Sequence, residues 1–142
     1  MDKKDVGLTH IAFVVKDLES SIAFYKTYAD MQVIHHRGLS EEGELQAVAW
    51  LCDMTRNFAI VLVQSSTLND TPLGPFGHLG IACPSKEAMD AKLQQARDAG
   101  VLLREPVDSG PPVGYWAYLR DPDGNTLELS YGQEMAYLIE SS

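Results

Sequence analysis

Cysteine is scarce in this 142-residue chain: only Cys52 and Cys83 occur, with no CxxC spacing, so no disulfide framework can be holding the fold together. Both read as buried thiols. Positive charge is also short, with 11 basic against 20 acidic residues and a net charge of −9. The lysines and arginines are scattered along the chain, so a nucleic-acid backbone would be repelled and is not an expected partner. No apolar run approaches the roughly 20 residues that span a bilayer, so no membrane is expected either. Met1 to Val6 are charged and lead into no signal-peptide pattern, which makes a cytoplasmic address the expectation. What the chain does have is an ordinary globular composition, 45% hydrophobic and 22% charged, and a length that suits one compact domain or two small modules sharing a core.

Two stretches share one plan. Gly7-Leu8-Thr9-His10-Ile11-Ala12-Phe13-Val14-Val15 reads as a strand, followed by Lys16-Asp17 and a helical pattern from Leu18 to about Ala29. Phe76-Gly77-His78-Leu79-Gly80-Ile81-Ala82-Cys83 reads as a strand, followed by Pro84-Ser85 and a helical pattern from Lys86 to about Ala99. Asp17 and Ser85 are each suited to cap the helix that follows, and Gly100 to end the second. Three β-like runs follow each helix: Met31 to His35, Leu45 to Leu51 and Asn57 to Gln64 in the first half, then Val101 to Pro106, Tyr115 to Arg120 and Thr126 to Tyr131 in the second. Asp121-Pro122-Asp123-Gly124-Asn125 carries turn chemistry between the last two. The expected fold is α+β, with paired βαβββ modules over about 7–64 and 76–131 forming a cup-shaped mixed sheet with helices outside. Residues 65–75 form the linker and 132–142 a C-terminal tail, within one domain covering 1–142.

Strand parity separates two faces. Ile11, Phe13 and Val15 oppose His10, Ala12 and Val14; Leu79 and Ile81 oppose His78, Gly80 and Ala82; Leu127 and Leu129 oppose Thr126, Glu128 and Ser130. Three times a bulky face opposes one that carries a single ligand-type residue among smaller neighbours. Taken singly, a strand histidine is more often a satisfied core or rim residue, and Glu128 a solvated one on an edge strand. Two histidines at equivalent repeat positions with a carboxylate in the closing strand favour a divalent-metal triad of His10, His78 and Glu128 with open coordination positions. The repeat aligns Val61 with Glu128, so the fourth position is apolar, and Gln64 falls on the wrong parity to fill it.

With these histidines, the run Tyr118-Leu119-Arg120-Asp121-Pro122-Asp123-Gly124-Asn125-Thr126-Leu127-Glu128-Leu129 and the opening Thr9-His10-Ile11-Ala12, the chain resembles the vicinal oxygen chelate superfamily, which holds glyoxalases, bleomycin-resistance proteins and extradiol dioxygenases. The resemblance implies a homodimer and a metal (Fe, Mn, Ni or Zn) that grips two neighbouring oxygens of a small-molecule substrate. Glyoxalase I enzymes are expected to carry a second glutamate near Val61, which this chain lacks. Fosfomycin-resistance enzymes of the glutathione-using type differ where this chain has Ala12 and Tyr137. The extradiol dioxygenases match Tyr118 but carry a further histidine where this chain has Gly110-Pro111-Pro112-Val113-Gly114.

The resulting expectation is a divalent-metal-dependent enzyme of dioxygenase or lyase class, acting by bidentate oxygen chelation. The alternative is a non-catalytic small-molecule binding or resistance protein of bleomycin-resistance type. Tyr118 or Tyr115 is the candidate catalytic donor, parity allowing only one to face the metal, with packing as the alternative for either. Trp50, Trp116 and Tyr131 are candidates for lining the pocket, with the core as their alternative.

Overall fold

The structure, a computed structural model, describes residues 5, 8–38, 46–66, 73–74 and 76–141. The chain divides into two compact units, Met1–Pro72 and Leu73–Ser142. The first contains β1 (His10–Val15), α1 (Leu18–Ala29), β2 (Gln32–Arg37), β3 (Val48–Cys52) and β4 (Ala59–Gln64). The second contains β5 (His78–Ala82), α2 (Lys86–Asp98), β6 (Leu102–Asp108), β7 (Tyr115–Arg120), β8 (Thr126–Tyr131) and α3 (Met135–Glu140). Each unit thus has the expected β-α-β-β-β order.

The helix starts follow from their caps. The Asp17 carboxylate accepts from the Ser20 amide at 3.2 Å, and the Ser85 hydroxyl accepts from the Ala88 amide at 3.0 Å, each satisfying one of the free donors of a first turn. Glu19 stands in the first turn of α1 and Lys26 in its last, both favourable to the helix dipole. Asp30 ends α1 with φ 53. Gly100 follows α2 with φ 74, a left-handed conformation in which a side chain would be strained.

Each sheet has four strands, ordered β1-β4-β3-β2 and β5-β8-β7-β6. In each, the strand before the helix pairs in parallel with the last strand of the module, and the other pairings are antiparallel. The sheets are therefore mixed, and the parallel pair brings the two histidine-bearing strands against β4 and β8.

The cores lie between each sheet and its helix. Phe13, Val15, Leu51, Ile60 and Leu62 are buried with Leu18, Ile22 and Tyr25 of α1, and the Phe13 and Tyr25 rings meet edge to face at 6.4 Å. In the second unit Leu119, Leu127 and Leu129 are buried with Met89, Leu93 and Ala96 of α2. Each such Val, Leu, Ile, Phe or Met side chain contributes about 1.5–3 kcal/mol by leaving water. Cys52 and Cys83 are buried and unpaired in disulfides, as expected.

The strand bounds shift by a few residues from expectation. The run expected from Met31 to His35 is observed as Gln32–Arg37, with an irregularity between Val33 and His35. The proposed strand starts at Gly7 and Leu45, and the linker residues 67–72 and 75, lie outside the described residues. Helix α3 was not foreseen. Its Glu134 makes no side-chain cap and all six of its residues are exposed, so neither a capping signal nor a buried stripe marked it.

The turn between β7 and β8 is built on Asp121, which is 3% exposed. Its carboxylate accepts from the Asp123 amide at 2.9 Å and the Asn125 amide at 2.8 Å, and from the Asn125 side-chain amide at 3.2 Å. Asp121→Ala leaves those donors without their acceptor, so it should cost about 1–3 kcal/mol. A lower denaturation midpoint at unchanged m-value checks this; an unshifted midpoint would show the turn to be self-sufficient.

Candidate functional site

His78 opens β5, and its ring is fixed by its Nδ1, which lies 2.9 Å from the Phe76 carbonyl oxygen. A carbonyl can only accept, so Nδ1 carries the proton and donates, leaving the neutral ring with an unprotonated Nε2. That nitrogen lies 3.4 Å from Oε1 of Glu128. In the neutral ring two acceptors then face each other, and a proton or a metal ion between them would satisfy both. No other ion pair to Glu128 is recorded among the described residues.

Register explains the meeting. Gly80, two residues beyond His78, pairs with Glu128 across the parallel β5–β8 ladder, and Tyr118 pairs with Glu128 across β7–β8. The strand beside Glu128 leaves room, because a Cβ added at Gly80 would meet nothing within 4 Å. Tyr118 shares the face of Glu128: its ring centroid lies 5.4 Å from that of His78 and 5.0 Å from that of Trp116. The Arg104 guanidinium sits over the Trp116 ring at 5.0 Å.

Tyr115 does not join this face. Parity turns it toward α2, where its hydroxyl donates to the Asp90 carboxylate at 2.8 Å. Burial, reinforced by that bond, raises its pKa. Of the two expected tyrosines, Tyr118 is placed beside the His78–Glu128 pair and Tyr115 is not. Tyr131 likewise falls on the parity of Leu127 and Leu129, facing away from Glu128, whereas Trp116 lies on the Glu128 side.

The first unit repeats the geometry with one change. Ala12, two residues beyond His10, pairs with Val61 as Gly80 pairs with Glu128, and Val61 also pairs with Trp50. Val61 thus occupies the position equivalent to Glu128. His10 has its own orienting partner, the Thr9 hydroxyl oxygen, 2.9 Å from its Nδ1. Gln64 is committed elsewhere: its Oε1 accepts from the Leu18 amide at 2.9 Å and ties the start of α1. His35 stacks edge to face on Trp50 at 5.2 Å, while the adjacent His36 approaches Glu19 at 3.9 Å.

The structure therefore brings together two of the three expected ligands, His78 and Glu128, and His10 stands in the other unit. Among the described residues no group of three or more His, Cys, Asp or Glu is placed to hold a metal ion.

A cleft of ≈ 570 Å³ opens in the first unit beside His10, a size typical of small-molecule sites. Its walls include Ile34, Trp50, Met54 and Phe58, and Arg56 is among its lining residues. The sequence marked Trp50 as a candidate for lining the pocket, but not the β3–β4 turn. The available signal was the polar run Asp53-Met54-Thr55-Arg56-Asn57 between two apolar strands.

Comparison with known proteins agrees with the fold. A family model described as the Glyoxalase/Bleomycin resistance protein/Dioxygenase superfamily matches residues 7–129. An uncharacterized protein of Pseudomonas aeruginosa is 37% identical over 130 residues, covering 90% of each chain. A lactoylglutathione lyase of Arabidopsis thaliana is 30% identical over 125 residues; the match covers 84% of this chain but 42% of that protein, so the chain spans less than half of that relative's length. Among solved structures, the fosfomycin resistance protein FosX of Listeria monocytogenes superposes with a TM-score of 0.70 at 21% identity, over 92% of this chain and 96% of that one. A variant of the same protein was solved with Mn(II) and a dihydroxypropylphosphonic acid. At that identity the likeness shows the fold alone.

Proposed function

The chain belongs to the Glyoxalase/Bleomycin resistance protein/Dioxygenase superfamily, and on that premise we propose that it is a divalent-metal-dependent enzyme whose small organic substrate is held through two neighbouring oxygen atoms. The observation that carries this reading is the His78–Glu128 pair: an imidazole whose proton is committed to the Phe76 carbonyl faces a carboxylate at 3.4 Å. This donor set, one neutral nitrogen and one anionic oxygen, fits a first-row divalent ion. His10, oriented by Thr9, is the proposed third ligand. A bound ion there supplies Lewis-acid polarisation of the substrate oxygens.

The chain's own residues set the rest. Phe76 and Thr9 fix the imidazole orientations, so each ring is presented without reorganisation. Gly80, paired with Glu128, leaves space beside it. Tyr118, whose hydroxyl makes no recorded hydrogen bond among the described residues, is positioned to donate to a substrate oxygen or hold a proton there. No carboxylate stands at the equivalent position in the first unit, where Val61 is found, so a second protein base is lacking. That favours ring-cleavage or lyase-like chemistry over isomerisation by proton abstraction. A homodimer working in the cytoplasm is part of the same proposal; no described helix is long and apolar enough to cross a membrane.

The test is metal binding by the purified, metal-stripped protein. Addition of Fe²⁺, Mn²⁺, Ni²⁺ or Zn²⁺ should raise the melting temperature; at 100 times Kd the gain is about 2.7 kcal/mol, or roughly 5–10 °C. Elemental analysis should then find a near-stoichiometric ion. No thermal response to any of the four, together with no retained metal, would sink the enzyme reading and favour a metal-free binding module.

A further inference from the structure

The cleft beside His10 has a chemistry of its own. Ile34, Trp50, Met54 and Phe58 line it, and the first three are 50%, 43% and 58% exposed. Large apolar side chains left in water within one concavity mark a surface built to be covered. Thr9 and His10 also line the cleft, and the β3–β4 turn contributes Arg56.

That turn is firmly built. The Cys52 thiol donates to the Arg56 carbonyl at 3.4 Å, and the Phe58 amide donates to the same carbonyl at 2.9 Å. The Asp53 carboxylate accepts from both the amide and the hydroxyl of Thr55, at 2.9 and 2.6 Å. The nearest acidic side chain of the turn is thereby occupied, and the Arg56 backbone is held from two sides. The Arg56 guanidinium itself has no recorded hydrogen bond or ion pair among the described residues. In a chain of net charge −9, it is the sole Lys or Arg among the residues lining the cleft, and Asp5 is the sole Asp or Glu among them.

We infer that the cleft takes an organic acid, its apolar body against Trp50 and its neighbours and its carboxylate on Arg56, which makes Arg56 a specificity-determining residue. This names the substrate class for the proposed enzyme and rests on that reading. A guanidinium offers two parallel donors that match the two oxygens of a carboxylate. One guanidinium balances one negative charge. A doubly charged phosphonate would leave a surplus negative charge facing Asp5, so the carboxylate is the better match.

The test separates this inference from the metal reading by using the metal-free protein. Binding of 4-phenylbutyrate, its neutral amide 4-phenylbutyramide, and phenylphosphonate is measured by titration calorimetry and by the indole signal of Trp50. The acid should bind about tenfold or more tightly than the amide, as a charge-assisted pair requires. Arg56→Gln should bring acid and amide to within about twofold of each other, and Arg56→Lys should restore part of the difference. Equal affinity for acid and amide in the unmodified protein, undiminished discrimination in Arg56→Gln, or a preference for phenylphosphonate over the acid would each overturn the inference. Arg56→Gln should leave metal uptake unchanged, because Arg56 is no ligand. Acid selectivity without metal uptake would refute the enzyme reading alone; metal uptake without acid selectivity would refute this inference alone.

Discussion

Replacing Glu128 by glutamine should lower divalent-metal affinity by about 100-fold or more, equivalent to about 2.8 kcal/mol, while leaving the fold intact. Glutamine keeps the size of the side chain, so the β7–β8 and β5–β8 ladders that hold position 128 are undisturbed. What changes is the character of the atom 3.4 Å from His78 Nε2. The carboxylate offers only acceptors, whereas an amide can turn its NH₂ toward the imidazole and donate to the lone pair that a metal would need. The sign of the stability change is therefore informative. Without metal, with the imidazole neutral, Glu128→Gln should equal or exceed the native protein in stability, by up to about 1 kcal/mol, since a facing pair of acceptors becomes a hydrogen bond. With saturating metal the order should reverse. Thermal scans of both proteins with and without the ion check both halves, and His78→Ala should lose metal binding to a similar extent. A full metal response in Glu128→Gln would show that this carboxylate is not a ligand.

The pairing on which that prediction depends was legible in the sequence because period-two alternation survives wherever one face of a sheet packs on a helix. Leu127 and Leu129 had to face α2, so Glu128 had to face away, and Leu79 and Ile81 placed His78 in the same manner. The caps were equally local: Asp17 and Ser85 each lie just before their helix and need nothing beyond the next turn. Tyr118 and Tyr115 could not be separated before the strand bounds were known, since the face each takes depends on the length of the turn that leads into β8. Register then put Tyr118 opposite Glu128 and Tyr115 opposite Tyr131.

Other features were not legible because no local rule encodes them. Helix α3 has neither a cap nor a buried stripe. The carbonyl of Phe76 orients His78 through a backbone atom, which any residue could have supplied. The cleft beside His10 collects residues from β1, β2, β3 and the turn before β4. The irregularity between Val33 and His35 shifts the register along β2, so simple alternation from Met31 would misassign the faces of Ile34 and His35. Gln64 shows the reverse case: parity in the expected register set it off the ligand face, and its bond to the Leu18 amide supplies a structural duty for it.

Restoring the missing carboxylate gives the second large effect. Val61→Glu should raise metal affinity by about tenfold to 100-fold, because it places an anionic oxygen donor beside His10 in the register that Glu128 holds beside His78. The cost falls on the metal-free protein. Val61 is partly buried between Ala12 and Trp50, and exchanging a half-buried apolar side chain for a charged one there should destabilise it by about 1–2 kcal/mol. The metal-bound protein should recover that loss, since the ion binds only the native state and neutralises the new charge. The measurement is therefore paired: a lower melting temperature than native without metal, and a larger metal-induced rise than native with it. A destabilised variant whose metal response is no larger than native would mean that position 61 does not face the proposed ion, and the equivalence between the two modules would be structural only. Should the larger response appear, the apolar Val61 of the natural chain is what keeps one more coordination position open to substrate, and the lack of a second base follows from the same residue.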